Sequence, residues 1–111
     1  MIELGKLGCV TVTLSASMRQ QAGVPDRWVC GPAQYGWACW LEAKGPEGKL
    51  LLDQKILIQR IRARSPSSAY VIREGGKQCS IEDHEGTVLA WFDGTAKDLS
   101  EKLAWLKARG R

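Results

Sequence analysis

A helical segment set between two extended runs constrains this chain more than anything else in it. Over about Leu52 to Arg64, the apolar residues Leu52, Ile56, Leu57 and Ile61 recur at helical spacing, with Lys55, Gln59, Arg60, Arg62 and Arg64 mostly off that stripe. Pro66 closes the segment. Before it, Trp37 to Lys44 reads as a strand ended by Gly45-Pro46-Glu47-Gly48. After it, Ala69-Tyr70-Val71-Ile72 is short and apolar enough to lie inside a sheet. A helix joining two strands of one sheet is a crossover, so these two strands are expected to run parallel.

The rest of the chain fits around that unit. Gly8 to Leu14 alternates and is rich in β-branched residues, which predicts a strand, and polar Ser15 to Gly23 a loop. Trp28-Val29-Cys30 is a second strand, followed by the turn-forming run Gly31 to Gly36. A hairpin around Asp83-His84-Glu85-Gly86 joins Lys77–Glu82 to Thr87–Phe92. A last helix, about Asp98 to Arg109, carries Leu99, Leu103 and Leu106 on one side. The order predicts one α/β domain over 1–111, with a mixed central sheet flanked by helices, and 111 residues suit a single domain. With 44% apolar and 25% charged residues the chain is neither disordered nor collagen-like. No apolar run approaches the ~20 residues that span a bilayer. Met1 to Lys6 lacks a basic region followed by an apolar one, so neither a membrane location nor a signal peptide is expected.

A net charge of +4 leans modestly toward anionic partners. Cys9, Cys30, Cys39 and Cys79 form no CxxC or CxH spacing and are expected to be reduced, small apolar residues. His84, the only histidine, cannot build a multi-histidine metal site and is expected in a solvated turn. Most of the five tryptophans are expected in the core.

Chemistry concentrates in two short runs, Gly23-Val24-Pro25-Asp26 and Glu42-Ala43-Lys44-Gly45. A hairpin folded near Gln34 sets Asp26 opposite Glu42, and cross-strand partners have β-carbons about 5 Å apart. Glu42 and Lys44, two residues apart, share a strand face. Two carboxylates can hold a magnesium ion and leave positions for water and a substrate phosphate. Such an ion acidifies water and polarises phosphorus, and an ammonium beside it steadies developing charge. Each residue also has a plain alternative. Asp26 suits a turn after proline, Glu42 and Lys44 suit an exposed ion pair worth at most ~1 kcal/mol, and Gln54 suits an ordinary first helical turn. Against these, Trp40-Leu41 precedes the charged pair and the crossover follows. Charges at the end of an interior strand are costly unless they serve a site.

Through Pro25-Asp26 and Glu42-Ala43-Lys44 the chain resembles the PD-(D/E)xK nucleases, and more narrowly the VRR-NUC family in its standalone phage and bacterial form. The shared run continues through the Gly45 to Gly48 turn, Gln54 near the start of the helix, and the strand Ala69 to Arg73, covering roughly Lys6 to Glu74. The resemblance implies a restriction-endonuclease-like fold related to Holliday-junction resolvases. It implies a Mg2+- or Mn2+-dependent endonuclease acting on branched, flapped or otherwise distorted DNA. Asp26, Glu42 and the Ala43 carbonyl would be metal ligands, Lys44 the catalytic lysine, and Gln54 a positioning group. The family begins with a longer helix bearing another acidic ligand. Here Glu3 is the sole acidic candidate before Gly8. Arg19, Arg27, Lys49 and Lys55 lie near the motifs and are candidates for phosphate contacts. A symmetric junction implies a two-fold homodimer, and the setting implied is the cytoplasm of a bacterium or phage-infected host. Two alternatives stand beside this expectation: a nucleic-acid-binding module of the same fold with weak or no cleavage, and a small interaction protein without a nucleic-acid role.

Overall fold

In the computed structural model the described residues are 8–13, 23–75 and 78–111. The β-rich runs before the helix form an antiparallel meander of β1 (Val10–Thr13), β2 (Arg27–Cys30) and β3 (Ala38–Lys44). The helix α1 (Leu52–Arg64) returns the chain through a short 3-10 turn, Pro66–Ser68, to β4 (Ala69–Arg73). β4 is parallel to β3, as a crossover requires. β5 (Cys79–Glu82) and β6 (Val88–Phe92) extend the sheet antiparallel, and α2 (Ala96–Ala108) ends the fold. The result is a mixed six-stranded sheet in the order β1-β2-β3-β4-β5-β6 with two helices. No described helix is long and apolar enough to cross a membrane.

Strand alternation divides the core between the two faces. Val29, Cys39, Leu41, Tyr70, Ile72 and Ile81 pack with Leu99, Leu103 and Leu106 of α2. On the other face Ala69 and Val71 meet Ile58 of α1, with Trp40, Leu50 and Ile61 beside them. The α1 stripe therefore differs from expectation. Leu52 and Ile56 are exposed (73% and 40%) and Ile58 is wholly buried. The face turned to the sheet runs through Gln54, Ile58 and Ile61, because the narrow strip offered by Ala69 and Val71 admits only one line of side chains. A polar residue thus occupies the innermost position of the first turn.

α2 begins earlier than the leucine spacing predicts. Thr95 caps it by accepting from the Asp98 N–H at 3.1 Å, and Asp93 Oδ1 in turn accepts from the Thr95 N–H at 2.8 Å. The tryptophans also depart from expectation, since Trp37 alone of the five is fully buried. Trp28 and Trp40 are half-buried, while Trp91 and Trp105 are exposed and line a groove of about 460 Å³ along the edge strand β6. No strand among the described residues covers that edge. The four cysteines are free, and burial pushes the Cys39 thiol well above its ordinary range, which suppresses thiolate chemistry there. His84 does sit in the β5–β6 turn, but its side chain is only 17% exposed. It lines a cleft together with Lys55, Arg73 and Glu82.

Trp37 ties the hairpin to α2 by donating from Nε1 to Ser100 Oγ at 3.1 Å, inside the core. Trp37→Phe leaves that hydroxyl buried without its donor and is expected to cost about 1–3 kcal/mol. For a chain of this size each kcal/mol lowers Tm by about 4–8 °C, so a thermal melt should move clearly. An unchanged melt would show that the bond contributes nothing.

Candidate metal centre

The β2–β3 ladder decides how Asp26 and Glu42 meet. Its pairs run Cys30↔Ala38, Val29↔Cys39, Trp28↔Trp40 and Arg27↔Leu41, symmetric about Gln34. Continued one step beyond β2, which begins at Arg27 after a bend at residue 26, the same register would bring Asp26 opposite Glu42. Gly31 donates its N–H to the Trp37 carbonyl at 2.8 Å, so the hydrogen-bonded positions are 31, 29, 27 and, by continuation, 25. Asp26 opposite Glu42 is then a non-hydrogen-bonded position, where directly opposed Cα atoms lie about 4.5 Å apart and side chains come closest. Glu42 is 5% exposed, and Oδ1 of Asp26 is buried.

The same continuation explains the proline. Residue 25 faces Ala43, at a position where an antiparallel partner would donate its N–H to the Ala43 carbonyl. Pro25, fully buried, has no N–H to give. The Pro-Asp pair therefore does two things at once. In that continued register it would set a carboxylate against Glu42 and leave the next carbonyl along β3 without its ladder donor.

Gln54 completes this corner from above. From the inner face of α1, its Nε2 reaches Glu42 Oε1 at 3.5 Å, while its Oε1 accepts from the Leu51 N–H at 2.9 Å. One amide thus closes the first turn of the helix and holds the glutamate. Gly23 presses the other motif onto the same turn. It has φ +87°, and a Cβ added there would lie 2.3 Å from the Asp53 carbonyl oxygen and 2.9 Å from the Gln54 nitrogen. Only glycine permits that approach at that backbone angle.

Lys44 shares the Glu42 face of β3. Its stem lies along the following turn, where a Cβ at Gly48 would meet Lys44 Cβ at 3.3 Å and Cδ at 3.4 Å. That turn is anchored from the neighbouring strand β4. Arg73, opposite Lys44 on β4, donates to the carbonyls of Gly45 and Gly48 at 2.8 and 2.6 Å. Its Nε pairs with Glu82 Oε2 at 3.0 Å, and Ser80 Oγ donates to the same oxygen at 2.6 Å. Nothing local in the sequence signals this clamp, because its partners come from three separate segments.

The other candidates separate. Lys49 and Lys55 line a cleft of about 320 Å³ whose other charged lining residues are Arg73, Glu82, Asp83 and Glu85, with Val71, the β4 partner of Glu42, also in its wall. Arg27 opens β2 opposite Leu41, and alternation puts it on the face of Val29 and Leu41 rather than that of Glu42. Glu3 and Arg19 lie outside the described residues.

In that continued register the corner would present two carboxylates and a carbonyl, all hard oxygen donors. That set fits a magnesium-like ion, which keeps several waters and takes one or two carboxylates plus a substrate phosphate. No group of three or more His, Cys, Asp or Glu side chains able to hold a metal occurs among the described residues. No family model, no curated protein and no solved structure matches this chain.

Proposed function

We propose that the protein is a metal-dependent endonuclease of the PD-(D/E)xK type, resembling VRR-NUC nucleases in its motifs, which hydrolyses phosphodiesters of branched or distorted DNA. The observation that supports this reading is the β2–β3 register from Arg27↔Leu41 to Cys30↔Ala38, whose continuation by one and two residues would bring Asp26 toward Glu42 and Pro25 toward the Ala43 carbonyl. The meander–crossover order of the strands supports a restriction-endonuclease-like fold. Asp26, Glu42 and the Ala43 carbonyl would hold a Mg2+ or Mn2+ ion, which when bound supplies Lewis acidity toward the scissile phosphate and an acidified water. Gln54 fixes the Glu42 carboxylate. Lys44 offers its ammonium to the charge that builds on the phosphorus oxygens. Lys49 and Lys55 bind backbone phosphates from the neighbouring cleft, without reading sequence. Cutting two strands of a symmetric junction calls for a two-fold homodimer.

A panel of labelled duplex, flap and four-way-junction DNAs tests this. Cleavage is expected with Mn2+ or Mg2+ and none after chelation. Asp26→Asn and Glu42→Gln are each expected to weaken Mn2+ binding at least tenfold in calorimetry without DNA. A second reading, a DNA-binding module of the same fold with weak or absent cleavage, is favoured by the two-carboxylate donor set. It predicts binding across the panel without cutting, and absence of both binding and cutting removes the nucleic-acid role altogether.

A further inference from the structure

The residue pair next to the carboxylates is aromatic. Trp28 and Trp40 stand opposite each other at the non-hydrogen-bonded position adjoining Asp26 and Glu42, on the same sheet face. Their ring centroids are 5.3 Å apart at an interplanar angle of 64°. Trp40 packs against Ile58, Ala69 and Val71 under α1, so it is a fixed backstop. Trp28 leans edge-to-face on it and is only half-buried. On the far side of Trp28 lies its β1 partner Val12, 46% exposed, with Val10 65% exposed further along the same face. Among the described residues no helix covers this flank, since α1 packs over β4 and its β3 neighbour Trp40.

Position gives this shelf its meaning. Two residues along a strand span about 7 Å, which is within the reach of one nucleotide from a phosphate seated at the carboxylates. Indole and valine surfaces offer no hydrogen-bond readout. They offer an apolar plane, which suits the face of a base. A paired, stacked base keeps its faces hidden, and an unpaired one exposes them. The basic balance of the chain, +4, suits the attached backbone.

We propose that Trp28, braced by Trp40 and flanked by Val12, is a stacking platform for an unpaired nucleobase one nucleotide from the scissile phosphate, so that the preferred substrate carries single-stranded character at the cut. This rests on the nuclease reading for the location of the phosphate, but its binding test does not need cleavage. Fluorescence anisotropy in EDTA compares a flap DNA with a blunt duplex of equal length. The parent is expected to bind the flap at least tenfold more tightly, the scale of one base–aromatic stack. Trp28→Leu should abolish that preference and leave duplex affinity unchanged. Trp28→Phe should keep most of it, which separates stacking from loss of fold. Equal flap and duplex affinity in the parent, or an undiminished preference in Trp28→Leu, overturns the platform. If the preference follows Trp28 but no DNA is cut with Mn2+, the platform stands and the nuclease reading fails. If DNA is cut and the preference ignores Trp28, the reverse holds.

Discussion

Lys44→Ala should reduce Mn2+-dependent cutting by at least about 10²–10³-fold, the usual loss when one preorganised charge-stabilising group leaves a reacting centre. DNA affinity should change little, because Lys44 is one of 16 Lys and Arg residues and the Lys49–Lys55 cleft remains. The fold should also survive, since the lysine is partly exposed and the turn behind it is held by Arg73 rather than by Lys44 itself. Lys44→Arg is not expected to restore activity, because a planar guanidinium on a longer reach does not reproduce a compact ammonium. Single-turnover rates and equilibrium binding on the same junction DNA check both halves. Parent-like cutting by Lys44→Ala would remove this residue from the mechanism.

Gly23→Ala carries the largest expected effect on the fold. Left-handed backbone costs an L-residue about 1–2 kcal/mol. The added methyl must also displace the Asp53 carbonyl, 2.3 Å away, and overpacking of this kind costs a further ~1–3 kcal/mol. A Tm drop of more than about 10 °C follows for a domain this small. Gly36→Ala is the control. Gly36 also has positive φ, +67°, but a Cβ there has nothing within 4 Å, so only the backbone cost remains. A similar melt for both variants would show that the contact with α1 is unimportant. Calorimetry on Gly23→Ala below its melt should also show weakened Mn2+ binding, since Gly23 positions Asp26 against the turn that carries Gln54.

Much of this was legible in the chain itself. Dense punctuation and β-branched runs exposed the strand order, and the helix between two apolar strands forced the parallel pair. The hairpin fold point near Gln34 came from setting Asp26 opposite Glu42, and the observed pairs of β2 and β3 share that centre. What stayed hidden depends on three-dimensional supply. The inner face of α1 was misjudged because exposed Leu52 and Ile56 carry as much apolar character as buried Ile58, leaving little contrast between its sides. Trp91 and Trp105 looked like core, but the strand at the sheet edge leaves them open. The Arg73–Glu82 clamp needed knowledge of which strands become neighbours. One missed feature did have a local signal: Thr95 followed three residues later by Asp98 is a helix start, and it marked the true beginning of α2.

The Gln54 amide has a consequence for motion. Helix ends fray at far lower cost than a domain unfolds. When the first turn of α1 breathes, the Leu51 N–H and the Glu42 oxygen lose the same partner together. If Glu42 holds a cation as proposed, local opening of residues 51–54 would change how many molecules are ready to capture it, and amide exchange at Leu51 would report that opening.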